Sequence, residues 1–497
     1  MTVLFPSLQG LKRPRFVLAL LLPVFFGCST GSVFTSYPVQ TSGVIRQLEH
    51  GRPVDSKKVF GRRVRGHDRI LYLMERGRLA QIQGDWATSK EAFANAMGAI
   101  REMDERAVVS MTALAGKGSS FLLNDNSIPY SADGYERVML HHGQALNYLF
   151  TGDLEGAAVE VRVAAAEQAA ALKRRAGEIE DAKKNAQAKG APTPGDERLG
   201  AVYAKLDAAA GRVKNSFQNA YTFYMSAVVR EMAGDPGGAY IDFKKAAEIM
   251  PANPYVRSDV LRLAADLGMS EEFARFRAQW PNTRPNRVSA GEGELVVLFE
   301  DGFLPPRREF SLLIPLFNSG GWTAIALPVY EGPWETPYPL AVEVEGGPEG
   351  ETALVCDLNA LSARALRERM PAILTRQVLR ATAKAMVPQL ARNGNNQDVL
   401  VVIMSLYAMI TERADLRSWN TLPQNAQVMR MGIVPGRHVL TLTHRGTGSR
   451  AVCEVEVRPG GRTFVKAVRT GGRLSAWSVA FGRDAKRVAC STNCGIL

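Results

Sequence analysis

Three segments in the first half of the chain repeat one pattern, and that pattern restricts the fold more than any other feature. Each carries a central Gly-Asp pair: Gly84-Asp85, Gly152-Asp153 and Gly234-Asp235. Seven residues before each glycine sits a small residue, Gly77, Ala145 or Ala227. Five after it comes Ser89, Ala157 or Ala239, and twelve after it Ala96, Ala164 or Ala246. Phe93, Val161 and Phe243 hold the larger position between them. Two helices of a hairpin approach closely only where side chains are small, and Gly-Asp suits the turn that joins them. The segments therefore predict helical hairpins over 73–100, 141–166 and 223–250.

The pattern resembles the tetratricopeptide repeat, most closely in the third copy, which ends in Pro251. The resemblance covers about 66–270. It implies an α-solenoid whose groove takes protein segments and performs no chemistry. Gly84 and Gly152 are 68 residues apart, two periods of about 34, which leaves room for a divergent repeat around 101–132. Gly152 and Gly234 are 82 apart. The excess reads as a long helical hairpin arm over about 160–232, with Gly190-Ala191-Pro192-Thr193-Pro194-Gly195 at its tip. Helices of this length reach roughly 50 Å. Tyr148 and Arg230 in the groove and Thr193 at the tip are the candidate partner-binding residues.

The N-terminus sets the compartment. Lys12, Arg13 and Arg15 precede the apolar run 16–26, which has the length of a signal-peptide core. Gly27-Cys28 after that run resembles a bacterial lipobox, which implies lipidation at Cys28. Ser29 resembles a signal for outer-membrane sorting, facing the periplasm. Removing 1–27 as signal peptide takes away three basic residues and no acid, leaving 58 Lys and Arg against 49 Asp and Glu. A modest basic excess beside a membrane suits acidic lipids, wall polymers or acidic protein faces. Export disfavours nucleic acid. The stretch 28–65 opens with Ser, Thr, Gly and Pro and reads as a flexible tether.

From Gly291 the pattern changes to strands. The runs 294–302, 322–332 and 352–359 are strand-like. A helix is expected from Leu361 to Leu390, kinked at Pro371 and ended by Pro388. The apolar run 399–410 suits a buried strand or core helix. Strands over 437–444, 450–457 and 462–468, separated by Gly-rich turns, predict an antiparallel meander. The expected whole is multidomain, α then α+β: a helical repeat domain over 66–283, a β-sandwich-like domain with an inserted helix over 284–475, and a tail over 476–497. Cys453 alternates onto an apolar face and Cys356 lies in a similar run. Cys490 and Cys494 could bridge, and no pairing can be read among the four.

The segment Asp415-Leu416-Arg417-Ser418-Trp419-Asn420-Thr421-Leu422-Pro423 is distinctive. With 434–438 and 304–308 it resembles an uncharacterised family of bacterial lipoproteins with N-terminal helical repeats. That family implies an envelope role near peptidoglycan synthesis. Asp415, Arg417 and Trp419 read as a structural cluster or part of a site. No His or Cys spacing makes a metal site, and no catalytic motif is present. The reading is therefore non-catalytic, with no cofactor: an envelope scaffold for a protein partner, held to the membrane by its lipid. The alternatives are a peptidoglycan- or glycan-binding accessory acting through the C-terminal domain and, less favoured, a hydrolase with a scattered site.

Overall fold

The computed structural model describes residues 35–113, 128–188, 197–211, 213, 215–216, 218–316, 321–331, 334, 336–391, 413–483, 487–491 and 495–496. Helices come first: α1 Tyr37–Glu49, a 3-10 turn Gly61–Arg65, α2 Arg69–Ile82, α3 Trp86–Ala113, α4 Gly134–Phe150, α5 Leu154–Ala188, α6 Glu197–Ala210, α7 Ala220–Met232, α8 Pro236–Ile249, α9 Pro254–Asp266 and α10 Ser270–Gln279. The remainder is sheet-rich, with one long helix, α11 Leu358–Ala391. The chain is thus helical and then α+β.

The Gly-Asp pairs form three helical hairpins by one mechanism. Gly84, Gly152 and Gly234 adopt φ of 76°, 83° and 81°, the left-handed conformation that ends a helix. The aspartate that follows begins the next helix. Asp85, Asp153 and Asp235 accept from the backbone N–H of Thr88, Gly156 and Gly238 at 3.1, 2.8 and 2.9 Å. The small residues are buried where the helices cross. A Cβ on Gly77 would lie 2.3 Å from the Phe93 ring, and one on Gly143 would lie 2.8 Å from the same ring. In place of a divergent repeat around 101–132, α3 continues to Ala113, and 114–127 lies outside the described residues.

The strands are β1 Gly293–Asp301, β2 Arg308–Leu316, β3 Gly321–Val329, β4 Leu340–Val344, β5 Glu349–Glu351, β6 Ala353–Asp357, β7 Asn425–Ile433, β8 Gly436–His444, β9 Arg450–Val457, β10 Arg462–Thr470, β11 Arg473–Phe481, β12 Arg487–Ser491 and β13 Gly495–Ile496. One sheet has the order β12-β11-β10-β1-β7-β6, and a second β13-β9-β8-β4-β5. β2 and β3 form a separate hairpin. Every residue of β1 is buried, because its sheet is covered on both faces. Leu295, Val297 and Phe299 meet Leu440, Leu442, Cys453 and Val455 of the second sheet. Val296 and Leu298 face the helices and join one core with Phe93, Tyr221, Trp419 and Phe464. The helix hairpins, the first sheet and the second sheet are therefore three successive layers.

Several sequence expectations change. The stretch 28–65 is not a tether throughout. Its described part contains α1, with Pro38 in the first turn and Tyr37, Thr41 and Leu48 buried at helical spacing. The arm over 160–232 is not two long helices. α5 is continuous, but the return breaks at Gly211, φ 51°, and restarts where Asn219 caps α7. Nor is α6 free. Leu199, Val202 and Leu206 pack with Ile325 and Leu327 of β3 and Leu366 of α11. α11 runs through Pro371 and Pro388 to Ala391. The meander holds for β8–β9, but at Pro459-Gly460-Gly461 the chain leaves one sheet for the other, and β10 pairs parallel with β1. The tail over 476–497 includes the end of β11, then β12 and β13. Cys453 is not merely a core residue; it is disulfide-bonded, while Cys356 is free and buried. Residues 399–410 lie outside the described residues. Among the described residues no helix is long and apolar enough to cross a membrane.

Candidate functional site

The inner face of the hairpins was expected to be an open groove. It is covered by the first sheet and by an extended segment, residues 414–424, that leads into β7. We call this segment the strap. Three helix residues and Arg307, just before β2, hold its main chain. Glu75 Oε1 accepts from Asn420 N–H at 2.9 Å, and Glu136 Oε1 accepts from Trp419 N–H at 2.9 Å. Arg78 Nε donates to the Thr421 carbonyl at 3.2 Å, and Arg307 Nη1 to the Arg417 carbonyl at 2.8 Å. The Trp419 ring, 1% exposed, stands edge-on to Phe93 with centroids 5.8 Å apart. Burial pushes the Glu75 carboxyl up to about 7, against the hydrogen bonds from Thr421, Tyr37 and Asn420 that favour its charge.

Buried charges line the rest of this seam. Glu300 of β1 lies between Arg78 of α2 and Lys466 of β10, each 2.6 Å away. Burial opposes its charge, but the two cations hold it at about 2. Lys466 shares that carboxylate with Arg78, and burial brings its ammonium down to about 8. The His142 ring lies 4.2 Å from that of Tyr221, tilted by 47°, beside this group, and burial keeps it neutral, at about 3. A second network joins Glu231 and Asp259 of the helices to Glu294, Arg430 and Arg462 of the sheet. Arg430 pairs with Glu294, Asp259 and Glu231 at 2.5, 3.0 and 3.3 Å. Arg462 pairs with Glu294 at 2.6 Å and Glu231 at 3.1 Å.

One end of the seam stays open above this second network. The cleft holds about 560 Å³. Its floor is the paired lattice of Glu231, Arg262, Glu294, Arg430 and Arg462. Burial disfavours the charge on Glu231, yet Arg430, Arg462 and Arg262 hold it well below the ordinary carboxylate range. The rim carries Asp266, Arg287, Glu292 and Arg483.

The structure brings Asp415, Arg417 and Trp419 together on the strap. Arg417 pairs with Asp415 at 2.8 Å and with Asp68 at 2.6 Å. Tyr148 and Arg230 are not brought into one site. Tyr148 packs on Gly156 under the Lys90 ammonium, 3.9 Å from the ring centre. Arg230 pairs with Asp235 and Asp242 of its own hairpin, at 2.7 and 3.0 Å. Thr193 and Cys28 lie outside the described residues. Among the described residues no group of three or more His, Cys, Asp or Glu could hold a metal ion.

Sequence reasoning missed Glu75, Glu136 and the cleft. Glu136 alone left a local signal, three residues after Asp133, as in a capping box. Compared with known proteins, the chain matches no family model, no curated protein and no solved structure.

Proposed function

We propose that this chain is a non-catalytic cell-envelope lipoprotein that acts as a protein-interaction scaffold. Its hairpins form a tetratricopeptide-like solenoid, and its two facing sheets form a β-sandwich-like domain. The observation that carries the reading is the strap. Paired helices grip an extended peptide by its backbone and one aromatic anchor, as a peptide-binding repeat array would. Here the peptide belongs to the chain itself. A protein partner is therefore taken by exposed helical surface, above all the long α5, where Glu180 and Lys184 side chains are 60% and 70% exposed. The signal-like run before Gly27-Cys28, and Ser29 after it, support a lipid anchor on the outer membrane, facing the periplasm.

Photo-crosslinking in cells tests this at Glu180 and Lys184 of α5, with Ile241 of α8 as a third exposed position. The expected result is one envelope protein recovered from the α5 positions. No protein adduct from any of the three overturns the scaffold reading. One observation favours a second role, ligand binding by the C-terminal half: the charged cleft beside β1, β7 and β10.

A further inference from the structure

We infer that this cleft is a binding site for short zwitterionic peptides, with the peptide carboxylate toward Arg287 and Arg483 and its ammonium toward Asp266. The floor settles little by itself, because Arg262, Arg430 and Arg462 are balanced by Glu231, Glu294 and Asp259. What it supplies is rigidity: the Arg430 side chain is 1% exposed and fixed by three carboxylates. A floor held this firmly costs little to organise when a ligand arrives.

The rim is polar in one direction. On the helix side stand the C-terminal turn of α7, with Glu231 and Met232, and Asp266 at the C-terminal end of α9. Helix C-termini carry partial negative charge and favour cations. The Asp266 carboxylate is 49% exposed and lies 3.7 Å from Arg262, so it stays available to an ammonium. On the loop side stand Arg287 and Arg483, both exposed and without an ion pair among the described residues. Arg483 lies along Gly460, where an added Cβ would come within 3.4 Å of its Cδ. Glu292 on the same side is engaged, accepting from Ser289 N–H at 3.0 Å. Free guanidinium groups at a mouth suit a carboxylate, which they bind with two parallel hydrogen bonds. A simple polyanion fits poorly, because carboxylates line the same space. An apolar ligand fits poorly against so charged a wall. A volume near 560 Å³ falls within the usual range for small-ligand sites.

The test uses the purified full-length chain, with no partner protein, so it can fail separately from the scaffold reading. Calorimetry measures binding of a pool of free-ended tripeptides of Ala, Glu and Lys. The comparisons are the same peptides N-acetylated and C-amidated, and inorganic phosphate. Free-ended peptides should bind at least tenfold more tightly than blocked ones. The Arg287→Ala/Arg483→Ala variant should lose at least tenfold, and Asp266→Asn should lose affinity for free but not for N-acetylated peptides. Because all three positions are exposed, the melting temperatures should match that of the unaltered chain. Equal binding of free and blocked peptides, binding of phosphate but not peptides, or undiminished binding by the double variant overturns the inference.

Discussion

Glu300→Gln should remove about 3–5 kcal/mol of stability from the whole molecule, not from one half. The wild-type carboxylate is 1% exposed and lies 2.6 Å from both Arg78 and Lys466, which are 4% and 0% exposed. Neutralising it leaves two buried cations without a counter-charge, and breaking a buried pair from one side costs that much. Arg78 belongs to the helices, whereas Glu300 and Lys466 belong to the first sheet. The loss should therefore appear equally in both layers. Lys466 offers partial relief. Its ammonium already titrates near pH 8, and removing Glu300 lowers that further. A lysine bound to fewer protons folded than unfolded gains stability as pH rises; the wild type shares that gain above pH 8, so the Gln variant should recover part of its loss as pH rises toward 8, below the wild-type Lys466 pKa. Replacing the triad together, Arg78→Met, Glu300→Leu and Lys466→Met, should restore most of the stability. Urea unfolding at pH 7, followed by far-ultraviolet circular dichroism and tryptophan fluorescence, measures this. A loss below about 1 kcal/mol, or a helical signal that survives while the sheet unfolds, would refute the reasoning.

Other outcomes follow from single features. The Glu75 pKa is raised by burial to about 7, so its contribution is fully present below about pH 4.5 and is lost as pH rises through 7. The urea midpoint of Glu75→Gln should accordingly vary less between pH 5 and 8 than that of the wild type. Gly77→Ala puts a Cβ 2.3 Å from Phe93 and should cost about 1–3 kcal/mol by overpacking. Gly177→Ala in α5 meets nothing within 4 Å and should instead stabilise by about 0.5–1 kcal/mol, both read by thermal melting. Cys356 is buried, and burial drives its thiol pKa well up. Iodoacetamide followed by mass spectrometry should leave it unmodified in native protein and label it once urea unfolds the chain. Cys453 should become labelled only after denaturation and reduction.

The three helical hairpins were legible because their causes are local. A glycine that stops one helix, an aspartate that starts the next and alanines at the crossing all leave marks at fixed spacing. Strands β8 and β9 were legible for a similar reason, since alternation and a Gly-rich turn lie within a short window. What failed was long-range. β7 carries Gln427 and Arg430 at buried positions, so its run does not read as a core strand. Those residues are satisfied by Thr352, Asp259 and Glu294, far away in sequence. The crossing at Pro459-Gly460-Gly461 has the composition of a hairpin turn, and only the β1 pairing shows otherwise. α1 was hidden because the polar residues between Tyr37 and Leu48 dilute its buried stripe. Asp415, Arg417 and Trp419 stood out as a motif, but their role depends on Asp68, Glu136 and Phe93, and no local pattern points to those partners.

The central claim is that helices, strap and first sheet form one cooperative body. Native-state hydrogen exchange on the full chain tests it most directly, comparing wild type with Trp419→Ala, a substitution that removes a ring buried between Phe93 and the sheet. Deleting a buried aromatic of this size costs about 3–5 kcal/mol. The account predicts that amides in α2, α4, β1 and β10 lose protection together and by similar amounts. Protection lost in β1 and β10 alone, with α2 and α4 unchanged, would contradict it.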